Sequence, residues 1–600
     1  MPSETSSNWA LRTCGRWRWE LHPGWTSLVD DDRHPDWLNL RQDPRAEQVK
    51  ANDGREVWRV QLDRELLFVK VGWPGRRWAR CRRWLLGGDA ARERRIAEYA
   101  AGHGIDAVSP VAVADAPIDG RQPTSVFVTL GLPDARPLNE AWESLDPRAP
   151  ATRRLKNQII DAVARLIAAA HQNGLEHFDL HAGNVLIQPT PAGLHALFVD
   201  LNNIRIGRPV RDDGVVRNLA QLNQWFRAHA PLTDRLRFLD RYLYWNEMLR
   251  PYSSHGRRLV CDRRELLRRL NVAALKHAGT LYAKRDRRTM RTGRYFARLT
   301  PGGGWRAHVF LSSKHPVEGS PSSALTLAAQ QWKQWLRDPI GLVTPADRRQ
   351  VIKESRSGLV CRGRIALADG RALEVICKRS RPRGFFKRIL QSLRGSRSML
   401  AWKRGNALLH RQIPTARPLA VVERRRCGLL MDSLVISEYL PHTQDLDTLL
   451  TVALREQPID AQHRLKRELA ASLARLVRRL HERGFTHRDL KAPNILVQWD
   501  PAAPEPARTL LVDMDGLRVI RRPTSNVERQ ALARLNVSLD HCKRVTLTDR
   551  ARFLRLYLTR VGCPQPCWKP LWRQLAAASD AKRRARRRWQ GKMLRKYGRF

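Results

Sequence analysis

Two kinds of hydrophobic spacing follow one another along this chain, and the same order occurs twice. Short apolar runs, LLFVKV (Leu66–Val71) and LEVICKR (Leu373–Arg379), predict strands that each hold one lysine. Later in each half, apolar residues recur every three to four positions and predict long amphipathic helices that end near His171 and His481. Strands first and helices afterwards predict the α+β class, with a β-rich N-lobe and a helical C-lobe in each half.

The two halves are copies of one another. The segment Leu155–Leu186 aligns with Leu465–Leu496 over thirty-two positions without a gap, at a constant offset of 310. Farther along, LFVDLNNIRI (Leu197–Ile206) corresponds to LLVDMDGLRV (Leu510–Val519). A period of this length is too long for a solenoid repeat and indicates a duplicated domain.

The repeat also predicts where the copies begin and end. GWRAHVFL (Gly304–Leu311) is typical of an early strand of the second copy, residues 252–294 are basic and helix-like, and HPVEGSPSS (His315–Ser323) is the clearest turn-rich break. We therefore expect five segments: an N-terminal extension 1–40, a first copy 41–255, a basic helical linker 256–294, a second copy 295–580 and a basic tail 581–600.

The charge balance points to polyanionic partners. The chain has 109 Lys and Arg against 58 Asp and Glu, a formal net charge of +51, while 42% hydrophobic residues and 20 Trp are enough to fill globular cores. Such a surface attracts nucleic acid, anionic lipid head groups or phosphorylated glycans. No run of about 18 uncharged apolar residues and no signal-peptide pattern occurs, so any membrane contact is expected to be peripheral.

The nine cysteines form no dense framework. Cys563 and Cys567 have C-x-x-x-C spacing, but no second Cys or His pair follows them, so a zinc site is not expected there. Reduced thiols in a cytosolic protein are the simplest interpretation.

Each copy carries four side chains in the order that phosphoryl transfer requires. The pattern H-x-D-x-x-x-x-N supplies a carboxylate to orient an acceptor hydroxyl and an amide to hold Mg²⁺, a second carboxylate follows the next strand, and a strand lysine can pair with the α/β-phosphates. Taken singly, an Asp–Asn loop is usually a turn or cap and a strand lysine usually snorkels to solvent; their joint recurrence at near-equal spacing favours the chemistry. The four residues are Lys70, Asp179, Asn184 and Asp200 in the first copy, and Lys378, Asp489, Asn494 and Asp513 in the second; His177 and His487 begin the two H-x-D-x-x-x-x-N patterns.

The candidate catalytic loops of the two copies differ at the position two residues after the aspartate. HRDLKAPN (His487–Asn494) is close to the catalytic loop of protein kinases, and Lys491 can neutralise charge on the transferring phosphoryl group. The first copy has His181 there and looks more like small-molecule phosphotransferases. No long activation segment or A-P-E element follows Asp200 or Asp513, which argues against a protein acceptor.

These motifs resemble the lipopolysaccharide kinase (Kdo/WaaP) family, a branch of the protein-kinase-like fold. The resemblance covers about residues 45–250 and 300–560, most clearly in IPTARPLAVVE (Ile413–Glu423), THRDLKAPNILV (Thr486–Val497) and HFDLHAGNVLI (His177–Ile187). It implies two tandem bilobal kinase-like domains that use ATP and Mg²⁺ to phosphorylate Kdo or heptose of the lipopolysaccharide inner core. It also implies a cytoplasmic protein in peripheral contact with the inner face of the cytoplasmic membrane.

The resemblance assigns a role to each candidate residue. It implies catalytic residues, ATP-binding residues and metal ligands, and it pairs a glutamate of the first copy's ARERR helix with the strand lysine. The implied residues are Asp179, Asp489 and Lys491 as catalytic; Lys70, Glu93 and Lys378 as ATP-binding; and Asn184, Asp200, Asn494 and Asp513 as metal ligands.

Each copy departs from the family pattern. The second has no glutamate in its matching helix, SRSMLAWKRGNALL (Ser396–Leu409), and neither has a G-x-G-x-x-G loop; NDG (Asn52–Gly54) and SRSG (Ser355–Gly358) are weak substitutes. The metal motif is D-L-N in the first copy and D-M-D in the second, where Asp515 is best interpreted as a turn carboxylate. We expect both copies to bind nucleotide and favour the second as the active one.

Two Trp-and-Arg-rich segments, WPGRRWARCRRWLL (Trp73–Leu86) and the tail Arg583–Phe600, predict docking to an anionic membrane or to a phosphorylated lipid-linked sugar. Nucleic acid is the less favoured partner. The leading hypothesis is thus an inner-core sugar kinase. The alternatives are a kinase for another small-molecule or protein acceptor, and a tandem pseudokinase scaffold, which the missing glutamate and glycine loops would suit.

Overall fold

The computed structural model divides the chain into two compact units, Met1–Ala278 and Gly279–Phe600. The residues that the structure describes are 9–29, 37, 39–52, 54–62, 65–73, 88–118, 122–146, 149, 151–260, 262–313, 322, 325–343, 350–355, 358–367, 369–381, 384–503, 505–520, 525–559 and 567–597.

The first unit opens with a seven-stranded sheet in which every neighbouring pair is antiparallel. Its strand order is β1-β2-β6-β7-β5-β4-β3. The strands are β1 (Ala10–Cys14), β2 (Trp17–Leu21), β3 (Ala46–Asn52), β4 (Arg55–Leu62), β5 (Glu65–Gly72), β6 (Pro110–Asp115) and β7 (Ser125–Leu130).

Helices and two small sheets follow in the first unit, and the last helix given below, Arg263–Arg288, begins in the first unit and ends in the second. Strands β8, β10 and β11 form one sheet, and β9 and β12 form the other. The strands are β8 (Arg136–Pro137), β9 (Glu176–His177), β10 (Val185–Thr190), β11 (Gly193–Phe198) and β12 (Ile204–Arg205); the helices are α1 (Asp89–Gly102), α2 (Leu138–Glu143), α3 (Thr152–Gln172), α4 (Asp212–His229), α5 (Leu232–Leu249) and α6 (Arg263–Arg288).

The second unit repeats this architecture. Its seven-stranded antiparallel sheet has the order β13-β14-β18-β19-β17-β16-β15, which corresponds strand for strand to the first. The strands are β13 (Phe296–Gly302), β14 (Trp305–Phe310), β15 (Val351–Ser355), β16 (Gly358–Ala366), β17 (Ala372–Ser380), β18 (Pro418–Arg426) and β19 (Leu429–Glu438).

The small sheets of the second unit also match, and its last six helices follow in the same order as the six helices of the first copy, with two further helices before them. The remaining strands are β20 (Thr443–Asp445), β21 (Phe485–His487), β22 (Ile495–Gln498), β23 (Arg508–Leu511) and β24 (Leu517–Val519); the helices are α7 (Ala329–Trp335), α8 (Phe385–Arg394), α9 (Arg397–His410), α10 (Leu446–Thr451), α11 (Ile459–Glu482), α12 (Ser525–Ser538), α13 (Leu547–Leu558) and α14 (Lys569–Tyr597). The α+β prediction, with a sheet and then helices in each of two tandem copies, is confirmed.

One expectation about the N-terminus is corrected. Strands β1 and β2 fall within the predicted extension 1–40, yet β2 pairs with β6, and Trp17, Trp19 and Leu21 are buried in the core of the sheet. The alternation W-R-W-E-L is the period-two signal of a half-buried strand. Residues 10–21 therefore belong to the first copy, while the other predicted domain limits stay predictions.

The long helices bury one face each. In α3, apolar side chains at three- and four-residue spacing, among them Ile160, Val163 and Ile167, pack in the core of the helical lobe. Complete burial of each such side chain contributes about 1.5–3 kcal/mol. The helix ends at His171–Gln172, where the His171 Nδ1 lies 2.9 Å from the Tyr242 hydroxyl. This fixed helix end leads directly into the loop that carries the candidate chemistry.

Candidate active sites

The strand lysine of the first copy meets two carboxylates. Lys70 lies on β5, whose neighbours Val69 and Val71 point into the sheet core, so the alternation of the strand turns Lys70 to the opposite face. Its Nζ is 2.7 Å from Oε2 of Glu93 on α1 and 3.8 Å from Oδ1 of Asp200. The first copy therefore has the predicted lysine–glutamate pair.

A second cation, which the sequence analysis missed, lies at the same place. Arg55 begins β4, and its guanidinium nitrogens are 3.5 Å from Oε1 of Glu93 and 3.5 Å from Oδ1 of Asp200. In the pairing of β4 with β5, Arg55 lies opposite Gly72, and Val57 lies opposite Lys70. Arg55 and Val57 are two positions apart, so their side chains are on the same face of the sheet. The sequence feature that could have identified Arg55 is its place two positions before Val57, the residue paired with Lys70 in the neighbouring strand.

The second copy lacks this arginine. In β16 and β17, Val360 is opposite Lys378, and the residue two positions earlier is Gly358. The two copies thus differ by one guanidinium at the mouth of the candidate nucleotide site.

The catalytic-loop residues of the first copy converge on Asp179. The Asn184 Nδ2 donates to the backbone carbonyl of Asp179 at 3.0 Å, and the Asp179 N–H donates to His177 Nδ1 at 3.2 Å. Burial lowers the pKa of His177 to about 4, although the nearby Asp200 and Asp179 carboxylates act to raise it. The same imidazole is therefore close to both carboxylates, which brings the base and the metal-ligand position together.

Asp200 has the properties of a cation ligand. Burial acts to raise the pKa of this carboxyl, but Lys70 and Arg55 outweigh burial and hold the pKa below its ordinary value. Its Oδ1 is buried and accepts no hydrogen bond from the described residues. An ionised carboxylate with a buried oxygen free of hydrogen bonds matches the oxygen donors that Mg²⁺ takes.

The strand lysine of the second copy pairs differently. Lys378 Nζ is 3.3 Å from Oδ1 of Asp513. The position of Glu93 is taken by Ala401, since the segments around Ile105 and Ile413 align at an offset of 308. The ion-pair partner of Lys378 is therefore Asp513, the aspartate of the candidate metal motif.

The backbone at Asp513 is held in an unusual conformation. Asp513 is in the left-handed region, with φ 60° and ψ 71°, which is uncommon for a residue other than glycine. The His487 Nε2–H donates to the Asp513 carbonyl at 2.8 Å, and a Cβ on Gly516 would lie 2.5 Å from the Cε1 of the same ring. The imidazole and the glycine together fix the D-M-D-G turn, and strain of this kind clusters at functional sites.

In the candidate catalytic loop of the second copy, Lys491 and Asn494 both contact Asp489. The Lys491 Nζ is 2.9 Å from Asp489 Oδ2, and the Asn494 Nδ2 donates to the Asp489 carbonyl at 2.8 Å. Burial acts to raise the pKa of Asp489, but Lys491, His487 and Asn494 outweigh it, and the pKa lies below its ordinary value. Asp489 is thus ionised and oriented at neutral pH.

In the first copy the residue matching Lys491 has another task. His181 caps the turn Ala182–Asn184 by accepting the Gly183 N–H at its Nδ1, at 3.1 Å. Asp515, the extra carboxylate of the second copy, lies 4.0 Å from Arg397 at its nearest oxygen. The basic segment 74–86 and the turns at Asp53 and 356–357 lie outside the described residues.

Comparison with known proteins adds an independent result. The sequence model of the lipopolysaccharide kinase (Kdo/WaaP) family matches residues 52–242 and 383–557, which is more than half of the chain. The lipopolysaccharide core heptose(I) kinase WaaP of Pseudomonas aeruginosa is 28% identical over 160 residues, which cover 26% of this chain and 58% of the relative.

Solved structures give weaker similarities. WaaP in complex with acyl carrier protein is 21% identical at a TM-score of 0.31, and the match covers 42% of this chain and 96% of that one. The rhoptry antigen kinase domain of Toxoplasma gondii is 14% identical at a TM-score of 0.25, with coverages of 38% and 81%. The BubR1 kinase domain is 14% identical at 0.23, with coverages of 51% and 93%.

Proposed function

The chain belongs to the lipopolysaccharide kinase (Kdo/WaaP) family, and from that membership we propose that it transfers the γ-phosphoryl group of ATP to a Kdo or heptose hydroxyl of the lipopolysaccharide inner core. The observation that carries the proposal is the same convergence in both copies. Lys70 lies 3.8 Å from Asp200, and Lys378 lies 3.3 Å from Asp513, each beside the loop with the candidate base. A cation and an anion so placed can hold the phosphates and the metal of one nucleotide.

The reaction follows from the roles of these side chains. The acceptor hydroxyl oxygen forms a bond to the γ-phosphorus while the bond from that phosphorus to the β,γ-bridging oxygen breaks, and ADP leaves with the bonding pair. Asp489 orients the hydroxyl and takes its proton, and Lys491 offsets charge on the transferring group. Asn494 and Asp513 would hold Mg²⁺, which neutralises phosphate charge when it is bound.

The second copy is the better candidate for the transfer step. Its base is paired with Lys491 and its metal-motif aspartate is fixed in the left-handed conformation, whereas the first copy has His181 engaged in capping a turn. The first copy has the stronger lysine site, with Glu93 and Arg55. We propose that both copies bind nucleotide and that the second performs transfer.

One observation favours a second candidate function, a pseudokinase scaffold. Ala401 leaves Lys378 without the glutamate that holds Lys70, and the side chains of Lys378 and Asp513 are each about two-fifths exposed. A lysine so loosely held binds phosphate less firmly. Mg·ATP at about 100-fold its Kd should stabilise a binding domain by about 2.7 kcal/mol, so absence of any thermal shift would favour the scaffold.

The deciding experiment measures phosphoryl transfer from labelled ATP to truncated lipopolysaccharide with single variants. Asp489→Asn should lower the rate by about 10²-fold or more, because it removes the proton acceptor. Asp179→Asn should leave most of the transfer intact, and it serves as the matched control from the other copy. Full activity in the double variant would exclude the mechanism, and turnover only with another acceptor would redirect the substrate assignment.

We also propose peripheral membrane contact through α14. Arg586, Arg587 and Arg588 are exposed on this helix beside Trp589, whose exposed fraction is 57%. No helix among the described residues is both long and apolar enough to cross a bilayer. Each basic residue contributes about 1 kcal/mol at an anionic surface, so replacing the three arginines with glutamine should weaken binding to anionic vesicles about 100-fold. Unchanged binding would remove α14 from the interface.

A further inference from the structure

Three side chains of the second copy, remote from the candidate catalytic groups in sequence, meet at one point. The His541 Nε2 is 2.9 Å from Asp447 Oδ1, the Cys542 Sγ is 3.6 Å from His541 Nε2, and the same Sγ is 3.9 Å from Asp447 Oδ1. Asp447 is in the first turn of α10, and the other two residues are in the loop between α12 and α13. Two separate segments thus supply one oxygen, one nitrogen and one sulfur.

The spacing fits a single small ion. Tetrahedral zinc lies about 2.0–2.3 Å from such donors, which sets the donor atoms about 3.3–3.6 Å apart. All three donor atoms lie within 4.8 Å of one another, and the individual separations bracket that spacing. Movements of a few tenths of an ångström would complete three corners of a tetrahedron.

The donor set selects the kind of ion. Thiolate and imidazole suit zinc and its cobalt substitute, whereas Mg²⁺ and Ca²⁺ prefer oxygen alone. Cys542 is 3% exposed, while the side chain of His541 is 57% exposed. The sulfur is therefore shielded on the protein side, and the imidazole side is open for entry of the ion and for a water as fourth ligand.

In the metal-free cluster the Cys542 thiol donates a hydrogen bond to the Asp447 carboxylate at 3.9 Å. A divalent cation would displace the thiol proton and would be shared by the carboxylate and the thiolate.

We propose that Asp447, His541 and Cys542 form a binding site for one zinc-type divalent ion that ties α10 to the α12–α13 loop. Both segments adjoin the catalytic loop: α10 packs against the turn Ala492–Asn494, and the Ala492 N–H donates to Ser538 Oγ at the end of α12, at 3.0 Å. An occupied site braces the loop that carries Asn494. The site itself does not depend on the proposed kinase activity.

The first copy supplies an internal comparison. Asn139 takes the place of Asp447, since α2 and α10 align at an offset of 308. The loop after α4 (230–231) is also six residues shorter than the loop after α12 (539–546). The TDR motifs at Thr233 and Thr548 are offset by 315 and the preceding helices by 313, which accounts for two residues, and α12 ends four residues before the position that matches the end of α4. The cluster therefore belongs to the second copy alone among the described residues.

The test is a Co²⁺ titration of the full-length, chelator-treated chain, followed by competition with Zn²⁺. We expect one cobalt per chain with a thiolate-to-cobalt charge-transfer band and the visible bands of tetrahedral cobalt, both abolished by zinc. Cys542→Ser should remove the charge-transfer band, and His541→Gln, at an exposed position that does not endanger folding, should weaken binding of both metals. Cys427→Ser, at the exposed turn between β18 and β19, is the matched control and should retain the spectrum.

Two results would overturn the inference. One is the absence of a thiolate band from the unaltered protein. The other is a band that persists in both Cys542→Ser and His541→Gln, since the thiolate would then come from another cysteine. Measuring Mg·ATP binding on the same samples separates loss of this metal from loss of the nucleotide site.

Discussion

Replacing Glu93 with alanine gives the first copy the residue that the second copy has at position 401. The side chain of Glu93 is 3% exposed and holds two cations, Lys70 at 2.7 Å and Arg55 at 3.5 Å. Its removal leaves both cations with Asp200 as their remaining shared carboxylate. The variant therefore tests whether the glutamate organises this site or is a replaceable surface charge.

The expected cost follows from burial. Removing one partner of a buried ion pair costs about 3–5 kcal/mol, because a buried charge is left uncompensated. The side chains of Lys70 and Arg55 retain 15% and 27% exposure, so solvent recovers part of that cost and the lower end, about 3 kcal/mol, applies. Local opening of β5 and α1 should become about 10²-fold more frequent.

Native-state hydrogen exchange, read by mass spectrometry on peptides from β5 and α1, measures this opening directly. The matched control is Glu98→Ala on the same helix. Glu98 pairs with Arg94 at 2.9 Å but is 34% exposed, so its loss should cost less than about 1 kcal/mol. Equal protection in the two variants would refute the claim that Glu93 organises the lysine site.

Three further outcomes are expected. His481 is buried against the Tyr557 hydroxyl, and burial lowers the pKa of His481 from 6.5 to about 4, so the unfolded state binds a proton first as the pH falls. The contribution of His481 to the free energy of unfolding should be full above pH 6.5 and should fall by roughly 3 kcal/mol toward pH 4. Urea titrations of His481→Gln at several pH values should lack that portion of the decline. Lys491→Met removes the cation that lowers the pKa of Asp489, so the acidic limb of the kcat profile should move to higher pH, and an unmoved limb would contradict the pairing. Arg55→Gly, which copies the second site, should weaken Mg·ATP binding to the first copy about tenfold or more in a calorimetric titration, through loss of a charge-assisted contact, whereas unchanged affinity would exclude Arg55 from phosphate binding.

The local sequence motifs identified most residues of the candidate site. The spacing of Lys70 and Asp179 and their counterparts identified the elements that the structure places next to each other, because strand and loop positions in a duplicated fold constrain one another. Arg55 was missed because one arginine after a turn, in a chain with 109 basic residues, is not distinctive. Its importance lies in the register of β4 with β5, which hydrogen bonds across the sheet decide.

The same limit applies to the metal cluster. The C-x-x-x-C spacing of Cys563 and Cys567 is local and is visible in the sequence. Asp447 and His541, by contrast, are brought together by the packing of α10 beside the loop after α12.

By itself, the sequence determined the duplication, the α+β class and the order of lysine, aspartate, asparagine and aspartate, since these depend on period and spacing along one chain. The family resemblance had already paired Lys70 with Glu93, and tertiary structure decided the other partners: Arg55 with Glu93 and Asp200, and Lys378 with Asp513. Partner choice depends on distances between elements far apart in the chain, and Coulomb energy and burial act on those distances rather than on sequence separation.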